Sequence, residues 1–128
     1  MDDIEFNRLV EKAIEDLPKE FSEKLENVSI IIQDYPTRSQ INNLMKRGEH
    51  GMLLGLYEGV PQTRRGNYGI GGSLPDKISI FKIPLLMISK TLEEVEKNVK
   101  DTVIHEIGHH FGMSESEIRK AQKKEESR

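Results

Sequence analysis

Residues 105–115 read His105-Glu106-Ile107-Gly108-His109-His110-Phe111-Gly112-Met113-Ser114-Glu115 and contain the pattern H-E-x-x-H. On an α-helix, at about 100° per residue, His105 and His109 lie about 40° apart, so both imidazoles leave one side of the helix a turn apart. They can take two corners of a metal's coordination sphere. Glu106 stands about 100° round from His105, off the metal yet within reach of water held there, which is where a general base for metal-assisted hydrolysis belongs. The chain has no cysteine. That excludes thiolate nucleophiles, disulfides and Cys-based zinc or iron-sulfur sites, and leaves His and carboxylate as the ligands.

A catalytic zinc site keeps three protein ligands and one open position. Glu115 is the expected third, because Gly112 can take the left-handed conformation that ends a helix and turn the chain back under the histidines. The competing reading makes Glu115 an ordinary acid in the first turn of the next helix, with Ser114 as its cap and Glu117 at the third position. Glu117 and the distant Glu58 are the alternative ligands. At about 140° from His105, His110 falls among Val99, Val103 and Ile107 and is expected to be packed and hydrogen-bonded. His50, beside Glu49 and Gly51, reads as a surface histidine. Asp101 suits either a hydrogen-bond acceptor behind His105 or a solvated helix acid. Tyr57 and Tyr68 are candidates to stabilise an oxyanion from across a cleft, with ordinary packing as the competing role.

These side chains need a scaffold. Leu92, Val95, Val99, Val103, Ile107 and Phe111 step by three or four and make a core-facing stripe for a long helix, and Thr91 with Glu94 has the spacing of a capping box at its start. Phe6, Leu9, Val10, Ala13, Ile14 and Leu17 predict an N-terminal helix capped by Asp2 or Asp3 and broken at Pro18. A short helical piece from Glu20 to Leu25 leads into the β-branched run Val28 to Ile32, a first strand. Met52 to Glu58 and Ile78 to Ile83 read as the second and third strands. Residues 36–51 read as a loop with one helical turn near Ile41 to Met45. Gly59 to Lys77 is a long glycine-rich loop, a candidate lid, and it carries no phosphate-binding glycine signature. Pro84 to Ser89 forms a short apolar helix or turn.

The chain has 128 residues, a net charge of −3 and 35% hydrophobic against 32% charged residues, which suits one compact domain with a modest core. Residues 1–120 are assigned to that domain, and residues 121–128, mixed in charge, to a frayed tail. Residues 1–27 carry 9 acidic and 4 basic side chains, whereas residues 28–90 carry 8 basic and 4 acidic. Within these residues only Lys46-Arg47 and Arg64-Arg65 pair up, which is no nucleic-acid footprint. No run approaches the roughly 20 apolar residues of a membrane span, and the acidic start Met1-Asp2-Asp3 is unlike a secretory signal. The cytoplasm is the expected compartment.

The motif of residues 105–115, with Gly55-Leu56-Tyr57-Glu58-Gly59-Val60-Pro61 and Leu74-Pro75-Asp76-Lys77-Ile78 before it, resembles the bacterial zincin-like family of very small, metzincin-related metallopeptidases. The resemblance runs from about Phe6 to Ile118. It implies a single-domain α+β zincin-like fold, with a small, mostly antiparallel or mixed sheet packed on long helices and the H-E-x-x-H helix flooring the cleft. By position it implies His105 and His109 as metal ligands, Glu106 as catalytic base and Glu115 as third ligand of one Zn2+ per chain; another divalent transition metal would fit the same ligands. The last ligand is usually Asp or His in such motifs and is Glu here. No methionine follows Glu115 to form the methionine turn of the metzincins, and Met113 lies inside the motif. The implied activity is hydrolysis of a peptide or protein substrate. The alternative is a metal-binding module of the same fold without relevant proteolysis.

Overall fold

Phe6, Val10 and Ala13 are buried along one side of α1 (Asp3–Glu15), and Asp2 caps this helix by accepting the Glu5 N–H at 2.8 Å. This computed structural model describes residues 1–46, 53–59 and 75–126. Pro18 separates α1 from a one-turn α2 (Lys19–Ser22), and a 3-10 turn at Glu23–Leu25 delivers the chain into β1 (Val28–Gln33).

The next segment differs from its expectation. A full helix, α3 (Arg38–Lys46), replaces the loop with one helical turn. The cause is a reciprocal cap: Thr37 Oγ1 accepts the Gln40 N–H at 3.1 Å, and Gln40 Oε1 accepts the Thr37 N–H at 2.8 Å. Gln40 is buried, and its amide also donates towards Gln33, Glu58 and Ser79, one residue from each strand.

The strands β1, β2 (Gly55–Glu58) and β3 (Asp76–Phe81) form one mixed sheet in the order β1-β3-β2. β1 runs parallel to β3 with Ile30 opposite Ile78, and β2 runs antiparallel to it with Tyr57 opposite Ile78. β2 starts later than expected, and β3 stops at Phe81. Lys82 and Ile83 belong instead to α4 (Lys82–Ile88). Pro84 is tolerated there because the N–H groups of a first helical turn have no intrahelical partner.

Tyr57, Ile78 and Ile80 share the core with Phe6 and Val10 of α1 and with Val99, Val103, Ile104 and Ile107 of α5 (Leu92–His110). The Thr91–Glu94 capping box forms as expected: Thr91 Oγ1 accepts the Glu94 N–H, and Glu94 accepts the Thr91 N–H, both at 3.1 Å. α6 (Glu115–Glu126) closes the fold. It continues through residues 121–126, where a frayed tail was expected, because Ile118 and Ala121 are buried and Gln122 donates to the Asp101 carbonyl at 3.0 Å. The whole is an α+β arrangement. Among the described residues no helix is long and apolar enough to cross a membrane. His50, Tyr68 and the middle of the candidate lid lie outside the described residues.

Candidate metal centre

Two glycines of α5 and the turn after it decide where the C-terminal helix goes. At Gly108 a Cβ would lie 2.6 Å from Ile118 Cγ1, so only a residue without a side chain lets α6 seat this closely. Phe111 is the C-cap of α5, and Gly112 follows with φ +78, the left-handed region that favours glycine. The Gly112 N–H donates to the His109 carbonyl at 3.2 Å and the Met113 N–H to the Gly108 carbonyl at 2.8 Å. This pair of bonds is the Schellman closure of a helix end.

Ser114 then caps α6. Its Oγ accepts the Glu117 N–H and its own N–H donates to Glu117 Oε1, both at 3.1 Å. The Glu117 carboxyl is held below its usual 4.5, first by the Ser114 N–H and then by the Ser114 hydroxyl, with desolvation opposing. Glu117 is therefore part of a capping box, and Glu115 sits in the first turn beside it. Glu115 is an N-terminal helix acid, and its carboxylate also faces the histidines.

The donor atoms converge. His109 Nε2 is 2.7 Å from Glu115 Oε1, His105 Nε2 is 3.6 Å from the same oxygen, and the two Nε2 atoms are 3.1 Å apart. Four ligands at zinc bond lengths of 2.0–2.1 Å stand about 3.3 Å from one another in a tetrahedron. The three separations lie on either side of that value, and two imidazoles with a carboxylate are the donor chemistry of a divalent transition metal, so the group is one that could hold such an ion. Among the described residues it is the group of His and carboxylate donors close enough to hold one.

Glu106 lies beside this group without joining it. Its Oε1 accepts the Tyr57 N–H at 2.9 Å, and its Oε2 is 3.5 Å from His105 Nδ1. The carboxylate is thus tied to β2 by one oxygen. This contact is long-range in sequence, and no local pattern announces it.

The remaining candidates are placed as follows. His110 is not packed among Val99, Val103 and Ile107 but is part exposed. Its ring stacks on Tyr57 with centroids 3.9 Å apart, and its Nε2 lies 4.0 Å from Asp76 Oδ2. The reason is that β2 passes the last turn of α5 on that side, offering an aromatic face where the helical angle alone suggested core. The Tyr57 hydroxyl donates to Asp76 at 2.7 Å, so it is held at the sheet and not turned to the donor group. Asp76 was missed; it meets Tyr57 only through the register of β2 on β3, which pairs Tyr57 with Ile78. Asp101 is ion-paired to Lys97 at 3.0 Å. Glu58 faces Gln40 at 3.0 Å and Lys77 at 3.8 Å, away from the donor set.

No curated protein matches the chain. Among solved structures it is similar to a conserved hypothetical protein from Thermo thermophilus, at 24% identity over 84% of this chain and 91% of that one, with a TM-score of 0.49. The sequence model of the zincin-like metallopeptidase family matches residues 25–124, from the 3-10 turn before β1 into α6. That stretch takes in the sheet, α5 and the turn to Glu115, and the chain belongs to the zincin-like metallopeptidase family.

Proposed function

We propose that the protein is a zinc-dependent peptidase whose metal is held by His105, His109 and Glu115 and whose general base is Glu106. The observation that carries this reading is the convergence of three donor atoms beside a carboxylate that is not one of them. A divalent ion bound there supplies Lewis acidity, lowering the pKa of water and polarising a carbonyl.

The chain's own residues do the rest. Glu106 accepts a proton from the attacking water as its oxygen bonds to the carbonyl carbon, and returns that proton to the amine nitrogen as the C–N bond breaks. The Tyr57 N–H holds Oε1, and His105 Nδ1 lies 3.5 Å from Oε2, so both neighbours orient the carboxylate that carries the proton. Because that N–H is spent on the base, an extended substrate along β2 has to register on other main-chain groups.

Elemental mass spectrometry of the parent, His109→Ala and Glu115→Ala proteins, with a peptide-library digest by parent and Glu106→Gln, tests the reading. The parent is expected to carry about one zinc per chain, lost in His109→Ala and reduced in Glu115→Ala. Glu106→Gln is expected to keep the metal and lose the cuts. Metal retained with no cleavage by the parent would favour the binding-module alternative, and no metal after reconstitution would remove both.

A further inference from the structure

β1 is one of the two outer strands of the sheet. The Asn27 carbonyl accepts the Asp76 N–H at 3.1 Å, which sets the phase of the parallel ladder: Ser29, Ile31 and Gln33 bond to β3. Val28, Ile30 and Ile32 therefore turn their N–H and C=O groups outward. None of these groups has a hydrogen-bond partner among the described residues. Native edges are usually blunted by charge, proline or a bulge. The strand Val-Ser-Ile-Ile-Ile-Gln has no charge and no proline, and it pairs without a bulge along its whole length.

Beside this edge lies a groove of about 380 Å³ between β1 and α1. Val10, Ile14, Ile30 and Ile32 make it apolar, and Glu11 and Glu15 stand on its helix side. Neither glutamate forms an ion pair among the described residues. A strand added to β1 would lie about 4.8 Å from it, with alternate side chains directed at the groove.

We propose that this edge and groove form a docking strip for an extended segment of a partner protein, with two apolar side chains on its groove side flanked by lysine or arginine. The edge supplies main-chain hydrogen bonds, the groove takes the apolar pair, and the two glutamates select the flanking cations. A second copy of this chain fits less well. Pairing β1 with β1 about a two-fold axis sets both α1 helices on one face of the joined sheet, with four like-charged glutamates facing across the seam. The strip lies across the sheet from Glu106, which contacts β2, so this inference stands apart from the peptidase reading.

The test uses the full chain and the capped peptide Lys-Thr-Val-Thr-Ile-Thr-Lys, with a control in which glutamate replaces both lysines. Amide exchange and peptide affinity are followed by NMR. The lysine peptide is expected to bind and to slow exchange at the Val28, Ile30 and Ile32 amides. The double variant Glu11→Lys, Glu15→Lys, whose changes are exposed and leave the core intact, should weaken that binding about tenfold. No protection at those amides, or equal binding of both peptides, would overturn the proposal. Protection in the free chain with sedimentation as a dimer would also overturn it, in favour of a second copy.

Discussion

At Gly108 one methyl group decides how closely the last helix can approach. The nearest atoms to a Cβ there are Ile118 Cγ1 at 2.6 Å and Cδ1 at 2.9 Å, and Ile118 is fully buried, so it has no room to yield. Gly108→Ala is expected to cost about 1–3 kcal/mol by overpacking, read from the urea unfolding midpoint, and to weaken zinc binding because Glu115 rides on the displaced helix. A midpoint equal to the parent's would show that α6 is not seated as described. At this scale the donor set was legible in the sequence because helical angle and a turn glycine are local. The tie from Tyr57 to Glu106 and the Tyr57–Asp76–His110 cluster were not. They arise where β2 meets α5 and β3, and nothing within a few residues encodes that meeting.

Capping boxes punctuate the elements. Thr91 with Glu94 and Ser114 with Glu117 were readable, whereas Thr37 with Gln40 went unread because Gln in place of Glu, in a stretch rich in polar residues, looked like loop. The long helices were legible for a different reason: their apolar stripes keep period over several turns, which a nine-residue helix such as α3 cannot do. Ser114→Ala and Thr37→Ala should each cost about 1 kcal/mol of stability. Only Ser114→Ala should also lower zinc affinity, measured by competition with a chromogenic chelator, since the cap it removes orients the turn that carries Glu115. Equal zinc affinity in the two variants would mean that α6 does not position its ligand.

Over the whole molecule, the third donor comes from a different helix than the other two. An ion held by all three donors would link α5 to α6 and should stabilise the native state as a unit. At free zinc about a hundred times the dissociation constant the gain is about 2.7 kcal/mol. It should appear as a rise in Tm that a chelator reverses and that Glu115→Ala diminishes. A Tm indifferent to zinc in the reconstituted protein would deny the link. The α+β class and the mixed sheet were within reach of the sequence, but the order β1-β3-β2 was not, because β1 and β3 are joined by long-range parallel pairing with β2 inserted between them in the chain. The C-terminal residues were misjudged for a similar reason: Ala121 is buried by α5, and a charged stretch read alone shows no such neighbour.

The carboxylate of Glu106 on the Tyr57 N–H has a further effect, at the other end of the sheet from β1. It occupies one outward N–H of an outer strand with a charged group, while the outward main-chain groups of Val28, Ile30 and Ile32 have no hydrogen-bond partner among the described residues. A strand laid along β2 meets that carboxylate at Tyr57, whereas one laid along β1 meets no such group among the described residues. The two edges of the sheet are thus unequal as templates: a strand added at β2 forgoes the Tyr57 N–H, and one added at β1 does not.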